Sequence, residues 1–191
     1  AELVMRFTLI DRVVDVDPGR SITAVKACSL AEEYLADHFP RFPVMPGVFM
    51  LEAMTQAAAW TVRLGEDFAH AIVVLRSARN VKYADFLEPG RLLTVTAEVV
   101  SQDESTTKVK ASGSIDGRTS LTAKLVLERY NMADRRPFGA AIDARVRAEM
   151  RRLWTVLHPA ARTSSPRPIE YASRSPGPAA AGPVAAVDLP R

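Results

Sequence analysis

Apolar and polar positions alternate along residues 3–16 and again along 21–29, with Phe7, Leu9 and Val13 in the first run and Val25 and Ala27 in the second. A period of two predicts a pair of half-buried strands, and Asp17-Pro18-Gly19 between them carries turn residues. From Val48 to Val62 the pattern changes: Phe49, Met50, Leu51, Met54, Ala57, Ala58, Ala59 and Trp60 leave apolar residues on every face. Such a segment predicts a buried helix. Strand character returns at 71–74, 78–83 and 92–101, with Glu88-Pro89-Gly90 as a turn, and again at 106–115 and 120–130. Asp116-Gly117 between the last two supplies the positive-φ chemistry of a tight hairpin. A strand pair, a helix and these later strand-like runs predict one α+β domain over residues 1–134.

Beyond Tyr130 the pattern shifts to a helical period. Ile142, Val146, Met150, Leu153 and Leu157 recur at three- and four-residue steps, which predicts an amphipathic helix within an extension over 135–162. Charge changes at the same place: residues 1–134 carry 15 Lys and Arg against 18 Asp and Glu, whereas 135–191 carry 10 against 4. The chain's net +3 is therefore the balance of an acidic body and a basic end. Arg145, Arg147, Arg151 and Arg152 form the basic surface of this helix, open either to steering an acidic partner or to simple solvation of a packed helix. The segment 163–191 has six prolines after residue 163 and almost no large apolar side chains, so a disordered tail is expected there.

Composition narrows the classes. At 191 residues, 48% hydrophobic and 25% charged, the chain has room for one core and an appendage. The longest apolar stretch is interrupted by Glu52 and Gln56 and is shorter than the roughly twenty residues a bilayer requires. No membrane insertion is expected, and no signal peptide is read at the start. The single Cys28 excludes an internal disulfide, fits a reducing cytoplasm and reads as core filling. His38, His70 and His158 are scattered without ligand spacing, so no metal is expected. No phosphate-cradling glycine loop or dinucleotide fingerprint occurs, so neither a cofactor nor a nucleic-acid partner is expected.

The chemistry concentrates between residues 38 and 56. Pro40, Pro43 and Pro46 fix φ and push their predecessors toward extended backbone, so the loop from His38 to Gly47 is stiff enough to hold an imidazole still. The only ionisable residue from Val48 to Val62 is Glu52. A carboxylate in such surroundings is costly unless it is paired, protonated or used. Gln56, one turn on, is placed to orient it, with Thr55 a weaker candidate. Rigidly placed imidazole and carboxyl groups are the components of general acid–base catalysis.

The run His-Phe-Pro-x-x-Pro-Val-Met-Pro-Gly-Val over 38–48, followed by Glu-Ala-Met-x-Gln over 52–56, resembles the active-site segment of bacterial (3R)-hydroxyacyl-[acyl carrier protein] dehydratases of type II fatty acid synthesis. The resemblance implies a hotdog fold, a bent antiparallel sheet around a long central helix. It implies a homodimer in which His38 of one chain and Glu52 of the other share a site, with a trimer of dimers as a further assembly. It implies His38 as the base at C2, the Val44 carbonyl as its anchor, Gly47 as donor to the thioester oxygen and Glu52 as the acid at the C3 hydroxyl. Phe49 and Met54 would line the acyl tunnel, and acyl carrier protein would be the partner. One departure stands out: the family usually has Gly where this chain has Arg41, which puts substrate preference in question. Glutamate at 52, where dehydratase/isomerases usually have aspartate, implies dehydration without isomerisation. A hotdog thioesterase and a non-catalytic acyl-binding subunit are the alternatives.

Overall fold

The computed structural model describes residues 7–158. The expected tail at 163–191, and the last residues of the expected extension, lie outside them. The elements run β1 (Arg12–Asp17), β2 (Ser21–Ala27), α1 (Gly47–Gly65), β3 (Ile72–Tyr83), β4 (Leu92–Gln102), β5 (Thr106–Ile115), β6 (Arg118–Tyr130) and α2 (Gly139–Leu157). The six strands form one sheet in the order β1-β2-β4-β5-β6-β3, and every neighbouring pair is antiparallel. Helix α1 packs against β2 to β6, so the sheet bends around it in a hotdog fold. Met50, Ala53, Met54, Ala57 and Ala58 of α1 are buried against Leu93, Val95, Leu125 and Leu127. Each large apolar side chain removed from water in this way contributes about 1.5–3 kcal/mol.

Two strand expectations need correction. The first strand, expected from residue 3, begins at Arg12. Residues 7–10 belong to no strand: the N–H of Leu9 donates to Gln56 Oε1 at 2.9 Å, and the Phe7 carbonyl accepts from Gln56 Nε2 at 3.0 Å. Side-chain amide groups on α1 thus satisfy backbone that period-two alternation assigned to a ladder. The runs at 71–74 and 78–83 are one strand, β3, whose register with β6 shifts between Leu75 and Ser77 and between Arg79 and Lys82. Asn80 sits there at φ +53, and such irregularities break the alternation that would have joined the two runs. Asp116 (φ +49) and Gly117 (φ +78) make the β5–β6 turn as their sequence predicts.

Helix α2 is held on the body by polar contacts and by apolar packing against the core. The carboxylate of Asp143, 1% exposed, accepts from the N–H groups of Met132 and Ala133 at 2.8 and 2.9 Å. Burial alone would raise its pKa, but these two N–H groups and the charge of Arg147 outweigh that and hold it below the usual carboxylate range. Gly139 abuts the same turn so closely that a Cβ there would stand 2.2 Å from the Met132 carbonyl oxygen. Arg147 donates to the carbonyls of Phe68 and Ala69 and to Asn131 Oδ1, and Arg151 bonds Asp67 and lies over the Phe68 ring. Trp154 packs on Trp60 with ring centroids 5.6 Å apart. The apolar face departs from expectation in two places: Ile142 is exposed, and Trp154 joins Met150, Leu153 and Leu157 against the core.

Candidate active site

His38 follows a 3₁₀ turn over Glu33–Ala36, and its N–H closes that turn on the Tyr34 carbonyl at 3.0 Å. Phe39 and Phe42 exchange backbone hydrogen bonds around Pro40 and Arg41, and the N–H of Val44 returns to the His38 carbonyl at 3.0 Å. Arg41 sits exposed at the tip of this turn. The loop therefore closes back on His38, placing Nδ1 of its imidazole 3.0 Å from the buried Val44 carbonyl oxygen. A carbonyl can only accept, so Nδ1 carries the proton and Nε2 of the neutral ring presents a lone pair. The Phe39 ring stacks on the imidazole at 4.2 Å and narrows its rotation.

Gly47 opens α1 directly after Pro46. The first N–H groups of a helix have no partner within it, and they point with the positive end of the helix dipole at whatever lies before them. The side chain of Tyr83, at the end of β3, covers this helix start. A Cβ on residue 47 would lie 2.9 Å from Tyr83 Cε1, so a larger residue there would push this half-exposed ring aside. Burial pushes the Tyr83 hydroxyl pKa up.

Glu52 is only half-buried, unlike the fully apolar setting that its neighbours in sequence suggest. It lies on one face of α1 with Gln56 and Arg63, along a groove of about 470 Å³. The groove is also lined by Thr55, Trp60, Val73, Val74 and Leu75 and by Met150 and Leu153 of α2. Gln56 Nε2 donates to Glu52 Oε1 at 3.0 Å. Because the Leu9 N–H fixes Gln56 Oε1, the amide can turn only its nitrogen toward the acid. Glu52 Oε1 is thereby occupied, and Oε2 has no hydrogen bond among the described residues. Thr55 instead bonds back to the Leu51 carbonyl at 3.0 Å.

Among the described residues no hydrogen bond or ion pair joins His38 to Glu52 within the chain. Phe49 is held edge-on between Phe7 and Tyr34, each 5.0 Å away, and Met54 is fully buried. Neither lines the groove beside Glu52. Pattern reasoning did not single out Tyr83, Arg63 or α2 as neighbours of this region, because each reaches it only through tertiary packing. Arg63 donates from Nη2 to the Val73 carbonyl, and burial pushes its pKa down to about 10. His70 pairs with Glu66 at 2.8 Å and His158 stacks on Trp154, both away from His38. Among the described residues no cluster of His, Cys, Asp and Glu could hold a metal ion.

A family model described as a FabA-like domain matches residues 3–124, close to two thirds of the chain. The chain belongs to the FabA-like family. The 3-hydroxyacyl-[acyl-carrier-protein] dehydratase FabZ of Ruminiclostridium cellulolyticum is 34% identical over 119 residues, covering 62% of this chain and 84% of that protein. The protein of the same name from Janthinobacterium sp. (strain Marseille) is 35% identical over 132 residues, 68% of this chain and 85% of its own length. Among solved structures, the dehydratase heterocomplex ApeI:P from Xenorhabdus doucetiae superposes with a TM-score of 0.55 at 22% identity, over 65% of this chain and 84% of that one. The HP0420 homologue from Helicobacter felis gives 0.51 at 12% identity, over 67% and 85%. These two likenesses establish the fold. Helix α2 lies wholly outside the matched family residues.

Proposed function

We propose that the chain dehydrates (3R)-3-hydroxyacyl thioesters carried on acyl carrier protein to trans-2-enoyl thioesters, in the cytoplasm and without a bound cofactor. The observation that carries this reading is the bond from His38 Nδ1 to the Val44 carbonyl, which leaves Nε2 free as a fixed base. His38 takes the proton from C2. Charge then develops on the thioester oxygen, where the free N–H groups at the Gly47 end of α1 stabilise it. The C2=C3 double bond forms as the C3 hydroxyl departs, taking a proton from Glu52 Oε2 and leaving as water. His38 passes its proton back through solvent and Glu52 regains one, so the cycle closes with no net change in the enzyme.

Two copies complete the site in this reading, His38 from one chain facing Glu52 from the other. Three features support it: the two residues do not meet within a chain, the Glu52 groove opens beside Val73–Leu75, and β3 is a twelve-residue edge of the sheet. A long exposed edge is a template for pairing with another strand. Incubation with 3-hydroxyacyl thioesters should raise enoyl absorbance, and His38→Ala should cut the rate by about 10²–10⁴ with the fold intact. Release of free thiol without enoyl product would instead identify thioester hydrolysis, and near-normal dehydration by His38→Ala would remove the proposed base.

A further inference from the structure

Helix α2 contributes to the groove that begins at Glu52, and neither the family match nor its relatives' names assign it a role there. The groove follows one face of α1 from Glu52 past Gln56 and Trp60 to Arg63. At 1.5 Å per residue, that face is about 16 Å long. Val73–Leu75 of β3 form one side. Met150 and Leu153 close it from α2, and the Trp60–Trp154 contact places that turn of α2 near the Trp60 level, about 12 Å along α1 from Glu52.

Polar contacts and the Trp60–Trp154 pair attach α2, and Met150 and Leu153 add partial packing against the core. Asp143 anchors its first turn, and Arg147 and Arg151 tie it to the α1–β3 connection. Met150 and Leu153 remain only partly buried, presenting thioether and methyl groups to the groove rather than sealing it. Met150, Leu153 and Trp60 put apolar surface into a groove whose other end holds the acid, beside Arg63 and Glu149, which also line it, and this surface suits an alkyl chain attached to the reacting carbons. We propose that Met150 and Leu153 form the end wall of the acyl-chain site and set the longest saturated chain it accepts, an inference that rests on the dehydratase reading for the identity of the ligand.

Binding separates this role from a purely structural one. Non-reactive thioether analogues of acyl-pantetheine, in a graded series of saturated chain lengths, are titrated by calorimetry into the full chain, into Met150→Ala/Leu153→Ala and into Leu153→Trp. Affinity for the full chain should rise with length and then stop rising. In the double alanine variant the plateau should move to longer chains, with the longest favoured over the former optimum by about tenfold relative to the parent. Leu153→Trp should move the plateau to shorter chains, so the assignment remains testable if the alanine variant folds poorly. The Trp60–Trp154 signal in near-ultraviolet circular dichroism reports whether α2 is still docked in the alanine variant, and protection of the α2 backbone amides from hydrogen exchange reports it in Leu153→Trp, which carries a third indole. An unchanged plateau in docked variants overturns the proposal. Turnover of the matching 3-hydroxyacyl thioesters keeps the two readings apart: a shifted plateau without any dehydration upholds the wall and refutes the dehydratase, and dehydration with a fixed plateau does the reverse.

Discussion

Gln56 does three things with one carboxamide: it accepts from Leu9, donates to the Phe7 carbonyl and donates to Glu52. The i+4 spacing to Glu52 is legible in the sequence, because helical geometry alone brings the two together. Its bonds to Phe7 and Leu9 are not legible, since they join residues 49 and 47 positions apart. Those bonds decide which end of the amide faces the acid. Gln56→Ala should therefore lower kcat by roughly tenfold to a hundredfold with little change in KM, as Glu52 loses its fixed rotamer and not its substrate contacts. A rise in KM alone would make Gln56 a binding residue. The His38–Val44 bond was legible only through resemblance to a family, because nothing in proline spacing says which carbonyl the closed loop will deliver to the ring.

At the level of elements, α1 and the β5–β6 hairpin follow from strong local signals: an all-round apolar run and an Asp-Gly turn. The absence of strand pairing at residues 7–10 and the continuity of β3 did not, because side-chain hydrogen bonds and bulges override a period of two. Helix α2 shows the same limit: periodicity found it, but not that Arg147 and Arg151 bind the α1–β3 connection. Those contacts favour packing over steering for two of the four arginines. The docking of α2 should also depend on acid. Asp143 titrates below its ordinary value of about 3.9, so its contribution is complete above about pH 4 and is lost as pH falls through the depressed folded value. The chain's two tryptophans, Trp60 and Trp154, are the pair that reports it. Their near-ultraviolet signal should collapse on acidification in the parent. Asp143→Asn should start weaker at neutral pH and lack that transition; an identical titration in both would mean that another group holds α2.

For the whole molecule, the proposed site has half its chemistry in each of two copies. His38 is fixed by its own loop, Glu52 by its own helix, and no contact among the described residues of one chain joins them. Hybrid dimers test this division most directly. Purified His38→Ala and Glu52→Gln proteins, each inactive, are mixed in equal amounts under conditions that exchange subunits, and hybrid formation is verified by mass spectrometry. Random assortment puts half the dimers in hybrid form, each with one intact His38–Glu52 pair, so activity should return to about a quarter of the parent's. No recovery in verified hybrid dimers would contradict a shared site and place both residues' work within a single chain.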